Sequence, residues 1–217
     1  MLEQVNEIKA PIFGISRHRI GTDGKGVTTL VTFMGCPLRC KYCLNERCHE
    51  GVVGNDKVMM LSPRELYDIL KVDNIYFQVT GGGVCFGGGE STLYVVFIEE
   101  FRKLCGDRWK ITLETCLCCN YKNIFKLSQV VDYWIVDVKS MDDEIYRKYT
   151  GEESCIKQHL RSLSICEKPD KVMIKVPYIP DFNRKEDLAQ DVDYIKQSYG
   201  FENVKIVDYI KPKARNL

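Results

Sequence analysis

Short runs of β-branched and aliphatic residues alternate along this chain with longer stretches in which apolar positions recur every three to four residues. The first pattern predicts buried strands, the second helices with one apolar face. Strands are expected at 28–34, 75–79, 110–115, 133–138, 171–176 and 203–210. Helices are expected from Ser62 onward and at 92–104, 121–127, 142–149, 155–166 and 184–198. Ser62-Pro63-Arg64-Glu65 has the form of a helix start, with a serine cap, an early proline and a glutamate three residues on. Leu66, Ile69 and Leu70 supply its apolar face. Strands alternating with helices predict an α/β fold built on a parallel sheet with crossover helices. Six units are too few for a complete eight-unit barrel, so the expected architecture is an open (βα)6 partial TIM barrel. In such sheets the chemistry gathers at the carboxyl ends of the strands.

No repeat, low-complexity tract or linker divides the 217 residues, which read as a single domain. Residues 1–27 are a lead-in, 28–210 the partial barrel and 211–217 a basic tail. The glycine-rich 21–26 segment precedes the first strand and lacks the spacing of a phosphate loop, so it reads as a connection. A composition of 45% hydrophobic and 28% charged residues is that of an ordinary globular protein. The net charge of +1 gives no electrostatic case for nucleic acid or an anionic membrane. No apolar run approaches the ~18 residues needed to span a bilayer. Residues 1–9 lack a basic-then-apolar leader. Eleven cysteines without such a leader point to reduced thiols and metal in the cytoplasm, not to a disulfide scaffold.

The candidate chemistry starts at the end of the first strand, where Cys36, Cys40 and Cys43 share one loop bounded by Gly35 and Pro37. A closed zinc or iron–sulfur site takes four protein ligands. Three thiolates on a four-iron cluster leave one iron open. Cys48 and His49 follow closely, so Cys36, Cys40, Cys43 and Cys48 are also a candidate zinc site. Six glycines fall within 81–89, a density that suits either close approach of a ligand to the backbone or a flexible lid. Glu114 ends the third strand, and Asp137 with Lys139 ends the fourth, as a solvated pair or as part of a site. Cys85, Cys105, Cys116, Cys118 and Cys119 read as small buried hydrophobes. A second cluster from the C-L-C-C run is disfavoured, because Cys118 and Cys119 point oppositely if extended.

The run G-C-P-L-R-C-K-Y-C, residues 35–43, resembles the cluster loop of radical S-adenosylmethionine enzymes. More narrowly it is similar to that of glycyl-radical enzyme activating enzymes, the pyruvate formate-lyase activating enzyme group. Residues 83–90 resemble that group's G-V-T-F-S-G-G-E-P, departing at Cys85, Gly87 and Ser91. Residues 114–116 and 137–139 resemble its D/E-T-C-G and D-L-K stretches, and 176–183 its R-I-P-V-I-P-G-x-N. Lys175 stands where an arginine is usual, and a histidine common at the end of the sixth strand is missing.

The resemblance implies a [4Fe–4S] cluster on Cys36, Cys40 and Cys43, with S-adenosylmethionine chelated on the open iron. It assigns the cofactor's amino group to Gly88, Gly89 and Glu90, and its ribose and carboxylate to Asp137 and Lys139. Glu114, Tyr42 and Lys175 complete the cofactor contacts, Lys175 on the adenine side. Some relatives bind a monovalent cation between the third and fourth strand ends. The implied reaction is reductive cleavage to methionine and a 5′-deoxyadenosyl radical that takes hydrogen from a glycine of a partner glycyl-radical enzyme. A flavodoxin- or ferredoxin-type protein would donate the electron. The alternatives are a radical enzyme acting on a small molecule or peptide, and a non-catalytic zinc or iron–sulfur module. One side of a six-stranded barrel stays open, to be covered by a partner loop or by a lid from 44–60 or the loop near Asp181.

Overall fold

The computed structural model describes residues 8–52 and 57–208. Strands β1 (Ala10–Ile20) and β2 (Val27–Phe33) form an antiparallel hairpin, and β3 (Met59–Leu61) pairs with the other edge of β1. Helices α1 (Pro63–Leu70) and α2 (Asn74–Thr80) lead into β4 (Gly83–Gly88). Then come α3 (Val95–Cys105), β5 (Lys110–Thr115), α4 (Tyr121–Ser128) and β6 (Tyr133–Asp137). Helices α5 (Asp143–Thr150) and α6 (Ile156–Cys166), β7 (Val172–Tyr178), α7 (Lys185–Tyr199) and β8 (Val204–Asp208) complete the order.

The sheet runs β3-β1-β2-β4-β5-β6-β7-β8. From β2 onward each neighbouring pair is parallel. Among the described residues β2, β4, β5, β6, β7 and β8 are therefore the six parallel strands of the expected open partial barrel, with β1 and β3 an antiparallel extension. Helix α1 starts as its sequence predicts. The Glu65 amide donates to Ser62 Oγ at 3.3 Å and the Ser62 amide to Glu65 Oε2 at 2.7 Å, a closed capping box.

Two expectations fail, each for an identifiable reason. The strand expected at 75–79 is helix α2. Its apolar run is one-sided, with Phe77 buried but Ile75, Tyr76 and Val79 exposed, and Gly81 at φ 67° ends it in the left-handed region. The strand is the glycine run itself. A Cβ on Gly82 would lie 1.9 Å from the Val27 carbonyl oxygen, and one on Gly83 2.1 Å from that of Lys110. Glycine is depleted in strands and its runs read as loops, but here the neighbouring backbones leave room for nothing else. The lead-in also holds a long strand, β1, that the pattern does not announce. Register shifts between Ile12 and Gly14 and between Ser16 and Arg19 break the alternation on which such a reading depends.

The segment 21–26 is the turn of the β1–β2 hairpin, a connection as expected. The remaining predicted strands recur within two residues of their expected bounds. Residues 1–7 of the lead-in, 53–56 of the candidate lid, 209–210 of the last strand and the tail 211–217 lie outside the described residues. Among the described residues no helix is long and apolar enough to cross a membrane.

The core lies between the strands and the helices. Val84, Cys85 and Phe86 of β4 are all fully buried, as a strand covered on both faces requires. Phe33, the last residue of β2, stacks on Phe86 at 5.3 Å and on Tyr94 at 4.3 Å. Burying each such ring contributes about 1.5–3 kcal/mol. A packed aromatic floor thus lies directly under the point where the cysteine loop leaves the sheet.

Candidate functional site

The cysteine loop is held from both ends by main-chain hydrogen bonds. The Met34 amide donates to Pro11 O at 2.9 Å, the Gly35 amide to Cys48 O at 2.7 Å, and the Tyr94 hydroxyl to Met34 O at 2.6 Å. Farther along, the Arg39 and Lys41 amides donate to the Thr150 and Tyr149 carbonyls at 2.8 and 3.0 Å, fixing the loop to the end of α5. Tyr42 meets Phe182 edge-on at 6.0 Å, and Tyr149 meets the same ring at 5.3 Å.

The glycine strand locks onto this loop. The Gly89 amide donates to Phe33 O at 2.9 Å and the Glu90 amide to Gly35 O at 2.8 Å. A Cβ on Gly89 would lie 2.0 Å from the Gly35 carbonyl oxygen, so this backbone contact requires glycine. Glu90 is fully buried. Its Oε1 accepts from the Thr92 amide at 3.0 Å, the Thr92 hydroxyl at 2.6 Å and the Thr115 hydroxyl at 2.5 Å. Its Oε2 accepts from the Cys116 amide at 2.9 Å and the Cys116 thiol at 2.8 Å. The carboxylate expected to meet a cofactor amino group is thus turned inward and joins the ends of β4 and β5. A buried carboxylate needs such donors to offset its lost hydration, and they take up both oxygens.

The other expected residues converge. Cys36, Cys40, Tyr42, Cys43, Gly88, Gly89, Glu114, Asp137, Lys139 and Lys175 all line one cavity of about 380 Å³ at the carboxyl ends of the strands. Lys175 Nζ lies 3.1 Å from Glu114 Oε1, across β6, and Lys139 Nζ lies 2.5 Å from Asp137 Oδ2. Asp137 Oδ1 is buried with no hydrogen-bond partner among the described residues, an acceptor left over at the cavity wall. Burial works against the Lys139 ammonium, but Asp137 and then Cys40 outweigh it and hold its pKa well above the usual range.

The three thiols differ. A hydrogen bond with Cys116 lowers Cys36 against the effect of burial, and one with Cys48 lowers Cys43 to about 6. Burial raises Cys40 to about 12 despite the nearby Lys139. Among the described residues Cys43, Cys48 and His49 are the one group of three or more whose ligand atoms all lie within 4.8 Å of one another. The four sulfurs of the candidate zinc site therefore do not meet at the spacing a single ion demands. A cluster distributes its protein thiolates over separate irons and accepts wider spacing.

Cys116, read from sequence as a small buried hydrophobe, instead touches both Cys36 and Glu90. The signal for it was Glu90 itself, because a buried acid must find donors near in space. Cys48, Tyr149 and Asp208 also line the cavity.

A pyruvate formate-lyase-activating enzyme of Clostridium pasteurianum is 30% identical, over 86% of this chain and 77% of its own length. A choline trimethylamine-lyase activating enzyme of Oleidesulfovibrio alaskensis is 27% identical, over 94% of this chain and 84% of its own. Among solved structures, QueE from Escherichia coli superposes with a TM-score of 0.57 at 13% identity, covering 93% of this chain and 84% of that one. Streptococcus suis SuiB, bound to its precursor peptide SuiA, gives a TM-score of 0.63 at 14% identity, covering 83% of this chain but only 38% of SuiB. Both structures share the fold. The family model described as the Radical SAM superfamily matches residues 30–195, from the strand that carries the thiol loop to the last helix, and this chain belongs to that superfamily.

Proposed function

We propose that this chain is a glycyl-radical enzyme activase, with Cys36, Cys40 and Cys43 as the protein ligands of its cluster. Membership of the superfamily implies a [4Fe–4S] cluster and S-adenosylmethionine. Bound together, they supply reductive cleavage of the sulfonium C–S bond, which gives methionine and a 5′-deoxyadenosyl radical able to abstract hydrogen. The single observation that carries the reading is the shared cavity, into which three thiols of one loop and the polar ends of β5, β6 and β7 all face. The donor set fits. Two of the sulfurs are biased toward thiolate, and Asp137 Oδ1 offers a buried acceptor without a partner.

In this reading the backbone at Gly88 and Gly89 receives the methionyl amino group, and Lys139 the carboxylate. Asp137 Oδ1 serves a ribose hydroxyl, or a monovalent cation between the β5 and β6 ends. Glu114 and Lys175 orient the nucleoside, with Tyr42 beside it. Glu90 acts as a positioning residue that ties β4 to β5 from behind. The radical needs a site closed to water, and in this reading the partner's glycine loop covers the open side of the barrel. The glycine substrate rests on the relatives named as activating enzymes, and a flavodoxin- or ferredoxin-type donor supplies the electron. A cytoplasmic setting fits, since the cysteines are free thiols.

The test is to incubate the reduced, anaerobic protein and S-adenosylmethionine with the glycyl-radical protein encoded nearest its gene. Electron paramagnetic resonance should show a carbon-centred glycyl signal on that partner. Deuterium passing from a labelled small metabolite into 5′-deoxyadenosine, with no signal on the partner, would replace this substrate class with a small molecule.

A further inference from the structure

On the side of the β5 loop away from the cavity lies a second group of sulfurs that the radical reaction does not use. Leu117 follows Cys116 with φ 57°, a left-handed conformation uncommon for leucine, and its side chain is buried. The turn sends Cys118 away from the cofactor cavity, whose wall includes Cys116 but not Cys118. Cys118 there meets Cys155, the residue that caps α6, and the two thiols share a hydrogen bond. One helical turn on, His159 Nδ1 lies 2.6 Å from the Leu117 carbonyl oxygen, and the same ring hydrogen-bonds the Cys155 sulfur.

Cys155 therefore sits between a thiol and an imidazole at the start of a helix. Each of these favours thiolate. Its pKa is lowered far below the ordinary thiol range, first by the Cys118 hydrogen bond and then by His159, with burial opposing. His159 is raised in return. Cys85 and Cys105, by contrast, are fully buried thiols raised by burial, and Cys166 is raised as well. Cys118 and Cys155 are both free and partly exposed.

We propose that Cys155 and Cys118 form a thiol–disulfide exchange pair, a reversible modification site whose substrate is a low-molecular-weight disulfide. The Cys155 thiolate attacks one sulfur of the small disulfide. A mixed disulfide forms and one small thiolate leaves. Cys118 then gives its proton to the small thiolate already released and attacks Cys155 Sγ, breaking the mixed disulfide and expelling the second small thiolate. The two protein thiols lose two electrons and the small disulfide gains them, so the balance closes without metal or cofactor. Cys118 and Cys155 are hydrogen-bonding neighbours, as the second step needs. The pair stands apart from the radical reaction and does not depend on the substrate assigned to it.

The experiment exposes anaerobic holoenzyme to oxidised glutathione, quenches with acid, alkylates the remaining thiols and maps the peptides by mass spectrometry. The expected result is a cross-link joining peptide 111–122, through Cys118, to peptide 149–157, through Cys155, and lost on reduction. In Cys118→Ser the resolving thiol is gone, so glutathione should accumulate on Cys155. In Cys155→Ser, Cys118 should stay unmodified over the same interval. No cross-link in the wild-type chain, or glutathione on Cys166 or Cys119 ahead of Cys155, overturns the proposal.

Discussion

Replacing Gly89 with alanine tests whether the glycine run is architecture or only an opening for the cofactor. The added Cβ would lie 2.0 Å from the Gly35 carbonyl oxygen, 2.8 Å from its carbon and 3.0 Å from the Phe33 carbonyl oxygen. All of these are main-chain atoms, so no side chain can swing aside. Relief requires β4 and the cysteine loop to separate, which weakens the hydrogen bonds from Gly89 N to Phe33 O and from Glu90 N to Gly35 O. Each is worth about 0.5–1.5 kcal/mol net, and overpacking adds roughly 1–3 kcal/mol. Gly89→Ala should therefore cost about 2–6 kcal/mol, a large part of the roughly 5–15 kcal/mol that holds a typical domain together. Gly51→Ala is the control, since a Cβ there meets nothing within 4 Å. Urea unfolding of the cluster-free protein, under anaerobic and reducing conditions, measures both. If Gly89→Ala stays within about 0.5 kcal/mol of the parent and loses only cofactor affinity, the architectural argument is wrong.

Other consequences follow from the same geometry. Serine at Cys36, Cys40 or Cys43 should each abolish stable iron binding, whereas Cys48→Ser should retain it; iron and sulfide analysis of the reconstituted proteins decides. Glu90→Gln puts an amide nitrogen against donors at Thr92, Thr115 or Cys116. It should lower stability by on the order of 1–3 kcal/mol, read from the denaturation midpoint, and a neutral result would remove Glu90 from its positioning role. Asp137→Asn should weaken S-adenosylmethionine binding roughly tenfold or more, the worth of a hydrogen bond to a charged acceptor. Calorimetry on the reconstituted protein checks it, and unchanged affinity would detach the unpartnered oxygen from the cofactor. Ser62→Ala opens the α1 capping box far from the cavity. It should cost about 0.5–2 kcal/mol with cofactor affinity intact.

Most of the fold was legible because every parallel strand except β4 is a short run rich in β-branched and aliphatic residues, and the crossover helices carry apolar stripes. The legible part of the site shared the same cause. Once Cys36, Glu114, Asp137 and Lys175 are set on or just after strands of one parallel sheet, at or near the ends where the cavity opens, the topology brings them together. What failed was whatever depended on neighbours in space. Isoleucine and valine in α2 read as a strand because composition does not say which face is covered. The 81–89 glycines read as a ligand approach or a lid, not a strand, because nothing local shows how near the Val27 and Lys110 backbones pass. The partners of Glu90 were only half legible, since Thr92 is two residues away whereas Thr115 and Cys116 come from the end of β5. Cys155 and His159 drew no attention, since their partner Cys118 lies on another element.

The charges of the cavity come as opposites already joined, Glu114 with Lys175, Asp137 with Lys139 and Asp208 with Lys185. Such pairs cancel at a distance and leave little field beyond the mouth. A charged ligand approaching from solvent is therefore not steered in. It feels the individual charges only on arrival, when its own groups can lie beside one member of each pair. Capture should then proceed at a rate nearly indifferent to ionic strength, because added salt has no long-range attraction to screen. Selectivity for S-adenosylmethionine over other nucleosides would reside in how slowly it leaves.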